Sequence, residues 1–170
     1  TQKVLIFFLA TMAFPAEVAM IPNFLLLRDL GLLNTYAALV LPRMANGFAI
    51  FLLKGFYDSL PQELYQAAEI DGASEIQIFR MVAMPLVTPI LAYIGLNTFV
   101  LTYSGFMWAF VICPKQEMWT LMVWVYDFQM KNPGNNYIMA ATVLVSIPPL
   151  IVFLFANRLI MKGIVIPSLK

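Results

Sequence analysis

QAAEIDGASEIQIFRMVAMP, residues 66–85, reads as the part of this chain that faces water, because membrane-length apolar segments stand on both sides of it. Of the 170 residues 62% are hydrophobic and 11% charged, whereas a soluble globular chain carries about 25% charged residues. The mean hydropathy is +0.84. A helix needs about 20 predominantly apolar residues to cross a bilayer. Working outward from residues 66–85, the spacing predicts about four spans, over residues 4–27, 35–53, 86–112 and 137–161, which leaves nothing for a soluble domain. The expected fold is an all-α integral membrane protein. Residues 1–170 read as one domain or a piece of one, with no internal repeat or linker. Because the first residue is Thr1 rather than Met, the chain is expected to be the later part of a longer protein.

The residue counts exclude several chemistries. Without histidine there is no histidine base and no histidine-ligated metal, and the lone Cys113 forms no disulfide within the chain. No GxxxxGK[ST] run is present to cradle a nucleotide. A net charge of +1 argues against nucleic acid, which requires a basic surface. No acid, base and nucleophile converge on one face, so an enzyme is the least favoured class.

Orientation follows from lysine and arginine. If Lys3 is cytoplasmic, Lys54, Arg80, Arg158, Lys162 and Lys170 share its side, against Arg28, Lys115 and Lys131 on the other. The positive-inside rule favours that arrangement and places residues 66–85 in the cytoplasm. Residues 114–136, with Trp119, Trp124, Tyr126 and Phe128 followed by the turn signal Asn132-Pro133-Gly134-Asn135, are expected at the opposite interface. They read as an aromatic belt or as a binding lid.

Residues 59–85 have their own punctuation. Ser59 with Gln62 has the form of a capping box, and Leu60, Leu64, Ala67 and Ala68 fall on one helical face. Gly72 is expected to end that helix, since the position past a helix C-terminus often needs positive φ. Ser74 with Gln77 forms a second capping box, Glu75 complements the helix dipole, and Ile76, Phe79 and Ala83 line a face up to Pro85. Small Ala67, Ala68 and Ala73 at the bend would let another surface approach, with Leu64, Ile76 and Phe79 as apolar anchors. A docking knob and a plain connection between spans both fit these residues.

Gln66-Ala67-Ala68, then Gly72, then Val82-Ala83-Met84-Pro85 resembles the EAA motif of permease subunits in binding-protein-dependent ABC importers, and Leu60 to Leu64 and Ile70 to Ser74 resemble its carbohydrate branch, the type of the smaller maltose permease subunit. Gly31 to Tyr36, Pro148-Pro149-Leu150, Phe153 and Gly163 extend the resemblance over nearly the whole chain. Gln66, Val82 and Met84 stand where the family usually has Glu, Ile and Leu. The resemblance implies a type I ABC importer transmembrane fold without its usual first two helices. It implies a subunit that makes and breaks no covalent bond. Glu63, Leu64, Gln66, Ala67, Ala68, Asp71, Gly72, Ala73, Phe79 and Pro85 would couple it to a separate ATPase, which takes ATP and Mg while this chain binds no cofactor or metal. A second permease subunit, an extracytoplasmic solute-binding protein, a sugar and the lipid of a prokaryotic inner membrane are the other implied partners.

Within the spans, Asn97, Ser104 and Trp108 recur at helical spacing on the third, with Thr98 alongside. Such a stripe faces a bundle interior or a polar path. It reads as a sugar path or as helix packing. Glu17 and Arg43 are expected at ~21 and ~17 Å from the cytoplasmic ends of their spans at a rise of about 1.5 Å per residue. They are candidates for an intramembrane ion pair, or for separate partners. Three functions remain open: a sugar permease subunit, a permease for another small polar solute such as a phosphorylated polyol, and a membrane assembly protein that does not transport.

Overall fold

The computed structural model describes residues 2–11, 15 and 17–164. Lys170, assigned above by the charge pattern, lies outside them. The described residues are helical without a strand. Ten helices are labelled here in chain order: α1 Gln2–Thr11, α2 Met20–Asp29, α3 Tyr36–Val40, α4 Gly47–Asp58, α5 Gln62–Ile70, α6 Glu75–Gln77, α7 Met84–Tyr103, α8 Phe106–Ile112, α9 Leu121–Met130 and α10 Asn135–Ile164. The chain divides into two compact units, one made of Thr1–Gly47 and Thr98–Ile151, the other of Phe48–Asn97 and Val152–Lys170, with α7 and α10 each contributing to both.

Among the described residues two helices are long and apolar enough to cross a membrane, Glu75–Tyr103 and Asn135–Met161, and a bent pair, Tyr36–Arg43 with Gly47–Asp58, makes a third if counted as one span. The expected span at 4–27 is interrupted. Helix α2 starts only at Met20, after a turn at residues 17–19 in which Val18 N–H donates to Pro15 C=O and Met20 N–H to Glu17 C=O. Pro22 fits the first turn of α2, where its missing N–H would have had no helical partner. The span expected at 35–53 bends by 45° around the 3₁₀ turn Leu41–Arg43, and α4 continues to Asp58.

The span expected at 86–112 shifts most. Pro85 does not introduce it: one 29-residue helical run extends from Glu75 to Tyr103, so the second half of the polar stretch is the start of the span. The proline is accommodated by a widened π turn, Ile78–Ala83, in which Met84 N–H donates to Phe79 C=O. At the other end the run stops at Ser104–Gly105. Gly105 lies at φ −71°, ψ 78°, and Phe106 N–H closes on Ser104 C=O at 2.8 Å. That is an inverse γ-turn, and it separates α7 from α8.

The first unit is centred on buried Leu27, Ala38, Trp108, Ile112 and Cys113. Two left-handed residues hold it in register. Gly31, at φ +68°, ends α2 with bonds from Leu32 N–H to Leu27 C=O and from Gly31 N–H to Arg28 C=O, the paired closure of a Schellman turn. Asn34, at φ +61°, donates its N–H to Ile112 C=O and accepts from Lys115 N–H on Oδ1, tying the α2–α3 turn to the end of α8. Thr35 then caps α3 by accepting from Ala38 N–H. Residues 121–130, expected above only as an interfacial stretch, form helix α9, on which Trp124 and Phe128 stack at 5.3 Å. In the second unit Ile78, Ala83 and Val87 are buried along the run that begins at Glu75.

Candidate functional site

The site is the helix-turn-helix between α4 and α7. Its first helix, α5, starts without a side-chain cap: Pro61 holds the N-cap position, and Ser59 Oγ donates to Phe56 C=O at 2.7 Å instead. The capping box expected from Ser59 and Gln62 is therefore absent. Ser59 closes the turn that ends α4, where its backbone N–H also reaches Phe56 C=O. Glu63 sits in the first turn of α5, where a negative charge complements the dipole.

The bend follows the expectation at Gly72. The glycine lies at φ +79°, with Ala73 N–H donating to Ala68 C=O and Gly72 N–H to Glu69 C=O. This is the same Schellman closure as at Gly31. Nothing stands within 4 Å of a Cβ at position 72, so the requirement for glycine is one of backbone conformation and not of space. Ser74 then caps the second helix: Gln77 N–H donates to Ser74 Oγ and Ser74 N–H to Gln77 Oε1, at 3.4 and 2.8 Å.

The result is a projecting surface with apolar tips. Leu64, Ile76 and Phe79 are exposed, as is Ile70 at 86%, which the sequence reading passed over. Its signal is an isoleucine at the end of α5, between Glu69 and the turn residues Asp71-Gly72. The face expected from Ile76, Phe79 and Ala83 splits, because the π turn rotates Ala83 to 2% exposure while Ile76 and Phe79 stay in the open. Gln66, Ala67, Asp71 and Pro85 are exposed, Ala68 and Ala73 half-buried. Glu63, Glu69, Asp71 and Glu75 are exposed around these tips and enter no ion pair among the described residues. Behind α5 a cleft of about 640 Å³ is lined by Tyr57, Asp58, Leu60, Gln62, Tyr65, Gln66 and Glu69. Burial, and then neighbouring Tyr57, push the Tyr65 phenol above its usual pKa.

The membrane candidates are arranged differently from the sequence expectation. Asn97 is half-buried and Thr98 exposed on α7, Ser104 is exposed at the break, and Trp108 is 9% exposed on α8. The γ-turn at Gly105 ends the helical register, so Trp108 does not continue the α7 face to which Asn97 and Ser104 belong. Glu17 and Arg43 do not form an ion pair; the ion pairs among the described residues are Arg28–Asp29, Lys54–Asp58 and Lys131–Asp127. The Arg43 guanidinium instead lies over the Trp108 ring, 5.8 Å from its centroid. The turn at Ser104 brings the indole to the arginine, and no helical spacing could have revealed it.

Comparison with known proteins agrees with this architecture. The family model for the binding-protein-dependent transport system inner membrane component matches residues 3–166. Over 158 residues the chain is 34% identical to the sn-glycerol-3-phosphate transport system permease protein UgpE of Salmonella typhi, covering 91% of this chain and 56% of that protein. It is 33% identical over 158 residues to the arabinooligosaccharides transport system permease protein AraQ of Halalkalibacterium halodurans, covering 92% and 56%. The chain thus spans about half the length of these curated relatives. A solved structure, that of a bacterial ABC transporter involved in the import of the acidic polysaccharide alginate, superposes with a TM-score of 0.68 at 28% identity, over 98% of this chain and 61% of that one. The fold is that of a type I ABC importer membrane subunit, and the chain belongs to the family of binding-protein-dependent transport system inner membrane components.

Proposed function

We propose that this chain is part of a permease subunit of an ATP-driven sugar importer in the inner membrane of a prokaryote, and that residues 59–85 couple it to a separate ATPase. The observation that carries this reading is the capped helix-turn-helix about Gly72, whose exposed Leu64, Ile70, Ile76 and Phe79 stand among unpaired carboxylates. Four apolar side chains so placed fit a groove on another protein with a basic rim. In this reading the knob is cytoplasmic, residues 1–170 act as one permease domain, and a second permease subunit completes the path. An extracytoplasmic binding protein delivers the solute. The chain makes and breaks no covalent bond and takes no cofactor; ATP and Mg act in the partner.

ATP-driven closure of the ATPase pair would move the knob as a rigid body, because capping at Ser74 and the Schellman turn at Gly72 fix the angle between its helices. The second helix is continuous with the span Glu75–Tyr103, so a displacement at the knob passes into the membrane without crossing a loop. The solute class follows the relatives, whose names give a polyol phosphate and an oligosaccharide. The test is co-purification of the full-length protein with its ATPase. The wild type should retain the ATPase, and Phe79→Asp with Ile76→Asp should lower the retained amount at least tenfold. Equal retention by the double variant would place the docking surface elsewhere.

A further inference from the structure

We propose that Arg43, held over Trp108 at the break between α7 and α8, selects a solute carrying a negative charge. This deepens the transport reading above and rests on it. Arg43 ends the 3₁₀ turn at the 45° bend between α3 and α4, a bent pair that together is long and apolar enough to cross a membrane. A cation within a span is costly and characteristically faces a partner or a path. Among the described residues Arg43 enters no ion pair, and it is exposed. What it has is the face of Trp108, which attracts a cation without neutralising it.

Two further features build the place. Trp108 is 9% exposed, yet its Nε1–H is buried without an acceptor among the described residues. A buried donor of that kind is rare and calls for an explanation. Arg43 packs closely against Gly105, where a Cβ would stand 3.0 Å from Arg43 Nη1 and 3.1 Å from the Leu101 carbonyl oxygen. Among the described residues a guanidinium and a buried indole N–H, neither with an acceptor, thus lie beside an interrupted helix. The exposed guanidinium presents donors only, which suits the oxygens of a phosphate or carboxylate better than a neutral hydroxyl, which also needs an acceptor. The planar fork of arginine, resting on an aromatic face, keeps donors in place for such oxygens.

The test uses the full-length protein assembled with its partner subunits and binding protein in proteoliposomes. Uptake is measured for two pairs of probes, sn-glycerol 3-phosphate against glycerol and an alginate oligosaccharide against an arabinooligosaccharide. Wild type should take up an acidic probe. Arg43→Gln should raise the concentration for half-maximal uptake of that probe at least tenfold, whereas Arg43→Lys should raise it less than threefold. Uptake of any neutral probe should be unaffected. If Arg43→Gln does not assemble, Arg43→Met, of similar length and apolar, takes its place. Loss for the phosphate alone or the uronate alone identifies the anion. Uptake of neutral probes only, unchanged acidic uptake in Arg43→Gln, or an equal fall for both members of a pair overturns the proposal and leaves the transport reading standing. Uptake of none overturns the transport reading and the proposal together.

Discussion

The hydroxyl of Tyr103 donates a 2.8 Å hydrogen bond to the carbonyl oxygen of Val145, 42 residues away. In a regular helix that carbonyl would accept from the N–H of residue 149, but Pro149 has none. Tyr103, the last residue of α7, therefore supplies the donor that the proline withholds from α10. A lone carbonyl in a lipid environment is costly, and neighbouring helices are the usual source of relief.

This pairing predicts coupling. Tyr103→Phe should destabilise the detergent-solubilised protein by about 1–2 kcal/mol, the cost of a buried acceptor left without its donor. In a Pro149→Ala background, where the backbone N–H returns, the same change should cost about half as much or less. Chemical unfolding of the four proteins gives the cycle; equal costs in both backgrounds would disconnect Tyr103 from the proline.

At Gly72 the positive φ and the open space around a Cβ make a distinct prediction. Gly72→Ala should cost about 1–2 kcal/mol through backbone strain alone. Gly72→Asn should cost less, because asparagine tolerates the left-handed region. Amide exchange at Gly72 and Ala73, whose N–H groups close the turn, reports the effect: faster in Ala than in Asn.

Asn34 holds the first unit through both its backbone and its side chain. Asn34→Ala loses the bond to Lys115 N–H and places alanine at positive φ, so a loss of about 2–3 kcal/mol is expected. Asn34→Gly removes only the side-chain bond and should lie between alanine and wild type. Thermal unfolding in detergent checks the order.

The two serines near the knob separate sequence appearance from structure. Ser74→Ala should destabilise by about 1 kcal/mol, since it removes a cap that is formed. Ser59→Ala should cost less, because its hydroxyl only adds to a turn already closed by the backbone. Comparable losses would mean that Ser59 caps α5 after all.

Those serines also show what could be read from the chain. The last span was legible to within a few residues, 137–161 against Asn135–Ile164, because length and apolarity alone define a helix in lipid. Gly72 and the Ser74 box were legible because local chemistry decides them. The break at Ser104–Gly105 was not, since an apolar run carries no periodicity where both faces are apolar, and the run from 86 to 112 looks continuous. The start at Glu75 was hidden by Pro85, which signals a boundary unless a π turn absorbs it. Arg43 was found by its charge, but its neighbour was not, because the contact with Trp108 depends on that break. The apolar exposure of Ile70 was missed for a different reason: a surface meant for a partner violates the rule that hides isoleucine.

The central claim is that movement of the α5–α6 knob couples ATP hydrolysis to transport. The direct measurement is ATP hydrolysis and solute uptake recorded together in proteoliposomes holding the complete importer and solute-loaded binding protein, for wild type and for Ile70→Asp with Phe79→Asp. The account predicts that loaded binding protein stimulates hydrolysis and uptake in the wild type, and that the double variant loses at least tenfold in both. Unchanged uptake and stimulation in the double variant would contradict it.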